Sequence, residues 1–187
     1  MPESTSYEFS TVMVSGIKRA LVEHGWFDAV KAELSSTARA TLDAAEESKF
    51  HPGPALDEVS EVLARLHGLD AVTRLFRTVT ARSMESVVAP LARVYLALKG
   101  DSPEVLLARF DSLLQVAARG LRASWVAQST RAGTLTLVYP SPRALAASSA
   151  WRGTLLHLLD FCEVSGEVEV LEPGEGGRAV RLRVQWD

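Results

Sequence analysis

The chain has 187 residues, 47% of them apolar and 23% charged, so it can form one domain with a sizeable core. Its net charge of −3 argues against a nucleic-acid-binding protein, and no apolar run of about 18 residues is present that could cross a membrane. The single cysteine, Cys162, excludes an internal disulfide and fits a reducing compartment. Together with a polar, acidic start unlike a signal peptide, these features predict a cytoplasmic protein.

Up to about residue 120, apolar residues recur at the three- and four-residue spacing of amphipathic helices. Glycines at positions 25, 68, 100 and 120 end these segments, and residues 51–54 break another. A long helix is predicted over residues 83–98. The clearest helix start is at Ser102, where a serine N-cap, a proline at the first helical position and an acid in the first turn stand together.

Beyond Gly120 the pattern changes to the alternation that is typical of strands. Strands are predicted over residues 121–129 and 133–140, and a helix over 149–163. A closing hairpin should place Glu167 and Glu169 opposite Arg181 and Arg183. This order predicts an α+β fold, in which an N-terminal helical half precedes a strand-strand-helix-strand-strand antiparallel sheet. We expect a single domain, residues 1–187, with a helical subdomain over 1–120 and an α/β subdomain over 121–187.

The sheet should bury one face beneath the last helix and beneath the helix that begins at Ser102. Which side chains point inward follows from the periodicity of each element. The residues predicted to lie in this core are Leu107, Phe110, Leu114, Leu137, Leu156, Leu159, Val168, Leu182 and Val184.

The end of the second strand carries polar side chains at alternate positions. Tyr139, Ser141 and Arg143 stand two residues apart, so in an extended segment they can point to the same face. Two hydroxyls and a guanidinium on one face can bind an anion, since arginine holds carboxylates with two parallel hydrogen bonds. The alternative is an ordinary turn, because prolines flank the serine and both residue types favour turns.

Trp151 and Arg152 are a second pair of candidate ligand-binding residues. They stand near the predicted start of the last helix, and a helix N-terminus favours anions. The alternative is packing, in which Trp151 covers the sheet edge and Gly153 permits a close approach between elements.

Evidence for catalysis or metal binding is absent from the sequence. There is no Gly-x-Ser-x-Gly elbow, phosphate-binding loop or dinucleotide fingerprint. Cys162 lies on an apolar helical face, where a cysteine usually behaves as a small hydrophobic residue. Asp57, Glu58 and Glu61 are interpreted as a solvated acidic face. We therefore expect a protein that is not an enzyme.

The order of the elements, with Tyr-x-Ser-x-Arg at the end of the second strand, resembles the heme nitric oxide/oxygen-binding (H-NOX) family. Gly16, Gly25 and Trp26 are also similar to the opening of that family. The resemblance implies a helical subdomain followed by an α/β half, and it implies that Tyr139, Ser141 and Arg143 match the residues that bind the heme propionates. The chain is also similar to uncharacterised myxobacterial proteins of comparable length, which look like heme-free relatives of H-NOX, vinyl-4-reductase and vesicle-tethering domains.

The departure from that family concerns the histidine that ligates the heme iron. The matching stretch, residues 103–122, contains no histidine. The histidines of the chain are His24, His51, His67 and His157, and none has a partner at metal-ligand spacing. We therefore expect neither heme nor another metal.

Three functional hypotheses follow. The first is a non-enzymatic sensor or adaptor that binds a small ligand or lipid-like molecule between the two halves, or a protein partner on the same surface. The second is a heme-based gas sensor whose axial ligand is His67 or His157. The third is an interaction module without a ligand that forms a homodimer through its helices.

Overall fold

The computed structural model describes residues 6–45, 49–83, 89–100 and 102–187, and these have the predicted α+β architecture. Within these ranges, every helix is too short or too polar to span a membrane. The helices are α1 (Thr11–Glu23), α2 (Phe27–Glu33), α3 (Ser36–Asp43), α4 (Gly53–His67), α5 (Leu69–Ser83), α6 (Ala89–Lys99), α7 (Pro103–Leu107), α8 (Phe110–Ala117) and α9 (Leu145–Phe161). The strands are β1 (Glu8–Ser10), β2 (Phe50–Pro52), β3 (Ala118–Arg119), β4 (Arg122–Ser129), β5 (Ala132–Val138), β6 (Gly166–Gly174) and β7 (Ala179–Trp186).

The main sheet is four-stranded and antiparallel, with the strand order β4-β5-β7-β6. On β7 the apolar side chains are buried and the arginines are exposed, as the alternation predicts. Across the last hairpin Glu169 faces Arg183, and their side chains lie 2.9 Å apart. The predicted pairing is wrong for the other two charges, because Glu167 faces Gln185 and Arg181 faces Leu171.

Helix α9 packs against the sheet on one side and against α5 on the other. The main chains of the two helices are in close contact at Gly153, where an added Cβ would lie 2.2 Å from the main-chain oxygen of Thr73. Thr80 also donates to Thr154 across the same contact, at 3.1 Å. Gly153 therefore permits a close approach of helices, as the packing interpretation expects.

The predicted core is confirmed at every position but one. The partly buried exception is Leu156, which lies on α9 beside the edge strand β6, whereas its neighbours Leu155 and Leu159 are buried. The buried members are Leu107, Phe110, Leu114, Leu137, Leu159, Val168, Leu182 and Val184.

A small sheet in the helical half was not predicted. It has the order β2-β1-β3 and pairs Phe9 with both His51 and Ala118. These strands have two or three residues, which is too short for an alternating pattern to be visible in sequence. The prediction that the first half contains only helices is therefore incomplete. The three short strands do not belong to the four-stranded sheet.

Two predicted helix boundaries need correction. The helix predicted over residues 83–98 is wrong at its first residue, because Ser83 is the last residue of α5; residues 84–88 lie outside the described part of the chain, and α6 covers Ala89–Lys99. The helix from Ser102 begins as predicted, because the Ser102 hydroxyl accepts from the amide of Glu104 at 3.3 Å. It then divides into α7 and α8 at residues 108–109.

Candidate functional site

The loop between β5 and α9 carries the candidate site. Hydrogen bonds from its main chain tie it to the β6–β7 hairpin: the amide of Tyr139 donates to Arg178 at 3.0 Å, and that of Arg143 donates to Gly177 at 2.9 Å. With its main chain held, Arg143 extends its side chain towards the helical half.

The Arg143 guanidinium binds groups from both halves of the molecule. Its Nη1 donates to the Asp57 carboxylate and to the Tyr7 hydroxyl, the latter at 2.5 Å. Its Nη2 donates to the Ser141 hydroxyl, and its Nε donates to the Ser141 main-chain oxygen at 3.0 Å. Only 12% of the Arg143 side chain and 16% of the Asp57 side chain are exposed. We call these two residues the Asp57–Arg143 pair.

The helical half positions Tyr7 and Asp57 through the first turn of α4. Gly53 donates its amide to the Tyr7 main-chain oxygen at 2.9 Å, and an added Cβ at Gly53 would fall 2.0 Å from the Tyr7 ring. The ring therefore lies directly on the helix. Asp57 stands one turn later on the same face, where it accepts a hydrogen bond from the Tyr7 hydroxyl.

Aromatic rings surround the guanidinium. Tyr7 and Tyr139 contact each other edge to face, with ring centroids 5.3 Å apart. The Cζ atom of Arg143 lies 5.1 Å from the Tyr7 centroid and 5.4 Å from that of Tyr139. Trp151 donates from Nε1 to the Tyr139 hydroxyl at 2.6 Å. The rings hold the cation in place and add cation–π attraction.

Burial shifts the acidity of the site. It raises the pKa of Asp57 from the ordinary 3.8 to about 6, although the charge and hydrogen bond of Arg143 act in the opposite direction. Glu61 contributes a smaller increase to the pKa of Asp57 by charge repulsion. Burial also raises the pKa of Tyr139, against the lowering effect of the Trp151 hydrogen bond. At neutral pH, Asp57 is therefore mostly ionised and Tyr139 is neutral.

Between pH 7 and pH 5, the free energy of unfolding of the wild type should rise by about 1 kcal/mol more than that of the Asp57→Asn variant. A carboxyl whose pKa is higher in the folded state takes up a proton more readily when folded. Its contribution is complete below the unfolded value of 3.8 and is lost as pH rises through about 6. Urea denaturation of both proteins at each pH measures the difference. A wild-type protein that loses stability relative to Asp57→Asn at pH 5 would contradict the raised pKa.

The structure brings four of the predicted site residues together and separates the fifth. Trp151 is hydrogen-bonded to Tyr139 and Arg143 is hydrogen-bonded to Ser141, and the two pairs meet where the Arg143 guanidinium lies over the Tyr139 ring. Arg152 lies elsewhere, where its Nε donates to the Val168 main-chain oxygen at 3.0 Å.

The helix-terminus argument for Trp151 and Arg152 is wrong. Helix α9 begins at Leu145, ahead of the predicted start at Ser149, so both residues lie inside it. Arg152 also lies 3.7 Å from Asp70. Because β6 is an edge strand, Arg152 binds a carbonyl at the border of the sheet and does not contribute to the Asp57–Arg143 site.

Sequence reasoning missed Tyr7 and Asp57. The interpretation of Asp57 as solvated is wrong, because its carboxylate is mostly buried against Arg143. In the structure, Gly53, Asp57 and Ser60 follow one face of α4, and the burial of Gly53 and Ser60 shows that this face is turned inward, which the sequence alone does not show. Glu58 is half-buried and accepts hydrogen bonds from the Ser35 amide and hydroxyl, and Glu61 is exposed as expected.

Two adjoining cavities lie between the helical half and α9. One, of about 30 Å³, reaches Asp57 and Tyr139, and the other, of about 80 Å³, reaches Phe110 and Leu158. Both are mainly apolar, and both are far below the roughly 300–1,000 Å³ of typical small-molecule sites. The residues that line both cavities are Phe9, Met13, Trp151 and Thr154.

The described residues do not fit the heme that the resemblance implies. None of those lining the two cavities is a histidine, and the sulfur donor among them is Met13. Within the described ranges, no group of three His, Cys, Asp or Glu side chains is placed to hold a metal ion. Arg143, which would have to meet a heme carboxylate, is already bound to Asp57.

No histidine is among the residues that line the two cavities described above. His24 and His67 flank the Trp26 ring, with centroid distances of 4.5 and 5.5 Å. His51 is buried on β2, and His157 lies with its Nδ1 3.9 Å from Asp160. The two positions proposed for a displaced axial ligand, His67 and His157, are thus outside the described cavity linings.

The fold as a whole is similar to solved structures of H-NOX domains. A structure from work on the molecular mechanism of H-NOX activation is 16% identical, with a TM-score of 0.62 over 96% of each chain. The Fe(II) unliganded H-NOX protein from K. algicida is 10% identical, with a TM-score of 0.69 over 95% of this chain and 96% of that one. An oxygen-binding H-NOX domain related to soluble guanylate cyclases, in its oxygen complex, is 14% identical, with a TM-score of 0.57 over 95% of both chains.

Sequence comparison adds no closer assignment, since no family model and no curated protein matches the chain. The structural likeness spans nearly the whole chain but occurs at low identity. It shows that the chain has an H-NOX-like fold, which confirms the fold implied by the sequence resemblance.

Proposed function

We propose that this chain is a non-enzymatic sensor or adaptor domain that uses an H-NOX-like fold without heme. The observation that carries the proposal is the Asp57–Arg143 pair, because the arginine suited to hold a cofactor carboxylate is already bound to a carboxylate of the chain itself. The apolar, histidine-free linings described for both cavities support the same conclusion. Solved H-NOX domains supply the analogy for a sensing role, including one in an oxygen complex.

A small uncharged molecule is the ligand class that the larger cavity favours. Its lining includes the apolar side chains of Leu106, Phe110, Leu114 and Leu158. Apolar cavities too small for a cofactor remain dry and can accept small apolar molecules. Trp151 lies on the wall of this cavity and donates to Tyr139, so a bound molecule is in contact with the network around Arg143. In this proposal, ligand binding alters the packing of these side chains, and a protein partner recognises the altered surface.

The protein should purify without heme when expressed in cells supplied with a heme precursor, since its described cavity linings offer no axial histidine. Absorption near 400 nm after dialysis measures heme directly (roughly the position of a histidine-ligated heme band). Native mass spectrometry of the same preparation should show the bare chain or the chain with a small uncharged molecule.

The control variants are His67→Ala and His157→Ala, which remove the histidines of the heme-sensor alternative. A heme band that survives dialysis in the wild type and disappears in either variant would contradict the proposal. It would favour a heme sensor with a displaced axial ligand instead.

A further inference from the structure

We propose that Tyr7, Ser141 and Arg143 form a carboxylate-binding site that the chain fills with its own Asp57, and that removal of the Asp57 side chain opens this site to short aliphatic carboxylates. The inference goes beyond the sensing role and does not depend on it. It concerns the chemistry of one site and the ligand class that this site selects.

The donors converge on a single oxygen atom. Arg143 donates from Nη1, and Tyr7 donates from its hydroxyl, to the same Oδ2 atom of Asp57. Charge-assisted hydrogen bonds of this kind are stronger than those between neutral groups. The geometry is therefore that of a bound carboxylate, with the ligand supplied by α4.

The donors are held in place by contacts that do not involve Asp57. Ser141 fixes the guanidinium twice, through its hydroxyl and its main-chain oxygen. The rings of Tyr7 and Tyr139 lie against the guanidinium, and Gly53 holds the Tyr7 ring. A site whose donors are positioned independently of the ligand should persist when the ligand is removed.

The charge of Arg143 supplies the attraction for a replacement anion. Arginine cannot lose its proton in a protein, so without Asp57 it stays charged while mostly buried. A buried charge without a counter-ion is strongly unfavourable, and an anion from solution removes that cost. Phosphate and sulfate are less suitable, because they are larger than the carboxylate group that leaves.

The site has room for a small anion and is open to solvent. Truncation of Asp57 to alanine removes one carboxyl group beside the cavity of about 30 Å³, whose lining includes Asp57 and Tyr139. Formate replaces the missing group, and acetate can place its methyl group towards the cavity. Exposure of 12% at Arg143 and 16% at Asp57 gives small anions a route from solvent.

The test is thermal unfolding of Asp57→Ala in sodium formate or acetate against sodium chloride at the same ionic strength. The expected result is a saturable increase in the melting temperature of several degrees in formate. The wild type should show no such increase, because Asp57 already occupies the site. Asp57→Asn is the matched control, since its amide fills the space, and it should respond at least tenfold more weakly than Asp57→Ala.

Two further measurements keep the result decisive. If Asp57→Ala does not fold in chloride, it should refold from urea in formate, and failure to refold in either salt overturns the proposal. The double variant Asp57→Ala/Arg143→Met lacks the cation and should fold in both salts without responding to formate. An equal response in the double variant or in the wild type would place binding elsewhere and would also overturn the proposal.

Discussion

Replacement of Asp57 by alanine, measured in chloride buffer at pH 7, should lower the free energy of unfolding by about 1–3 kcal/mol, the cost of buried donors left without their acceptor. The loss arises because the Arg143 guanidinium, with 12% of its side chain exposed, keeps its charge and loses its counter-ion. Arg143→Met should cost less at pH 6 and below, because the abandoned Asp57 can take up a proton and become neutral. A larger cost for removing Asp57 than for removing Arg143 at low pH is expected for a buried ion pair and not for two uncharged side chains in contact.

The control for this prediction is a double-mutant cycle with Asp57→Ala/Arg143→Met. Removal of both charges together should recover much of the stability that either single change loses, since no buried charge is left without a partner. Urea denaturation of the four proteins at pH 7 gives the coupling energy. Additive single losses, with a coupling energy below about 0.5 kcal/mol, would show that the two side chains do not act as a pair.

Leu159→Ala should lower the free energy of unfolding by about 2–5 kcal/mol, because it opens a cavity between α9 and the sheet. The Leu159 side chain is 2% exposed, and its Cδ1 lies 2.9 Å from the position of a Cβ added at Gly166 on β6. It therefore fills the contact between the helix and the edge strand. Leu114→Ala on α8, which is also buried, should have a cost in the same range.

Leu156→Ala is the matched control for the packing of α9, since it makes the same chemical change on the same helix at a partly buried position. It should cost clearly less than Leu159→Ala, because solvent can occupy part of the space that is left. Chemical denaturation of both variants provides the comparison. A loss below about 1 kcal/mol at Leu159, or an equal loss at Leu156, would contradict the observed orientation of the helix.

Local patterns predicted the main elements well where they extended over several residues. The alternation from Val180 to Trp186 identified β7 and its buried face, and the cap at Ser102 identified the start of α7. The start of α9 was missed because Ala144 stands at its N-cap position and makes no side-chain hydrogen bond, so no cap residue marks it. Strands as short as β3 offer no period to detect.

Only the part of the candidate site that lies between β5 and α9 was predictable from the sequence. Spacing along the chain placed Tyr139, Ser141 and Arg143 together, because those residues belong to one segment. Asp57, the partner of Arg143, stands 86 positions before it, and local spacing does not report a contact over that separation. Burial of a carboxylate is also unusual, so a solvated face was the reasonable expectation for Asp57 until the fold placed Arg143 against it.

The most direct test of the claim that Asp57 fills a carboxylate site is a crystal structure of Asp57→Ala grown in sodium formate. The predicted result is a formate ion between the two halves of the molecule, with one oxygen at a hydrogen-bond distance of about 2.7–2.9 Å from Arg143 Nη1 and close to the Tyr7 hydroxyl. Ser141 should still hold the guanidinium. An Arg143 side chain turned out to solvent, with no anion beside Tyr7, would contradict the claim.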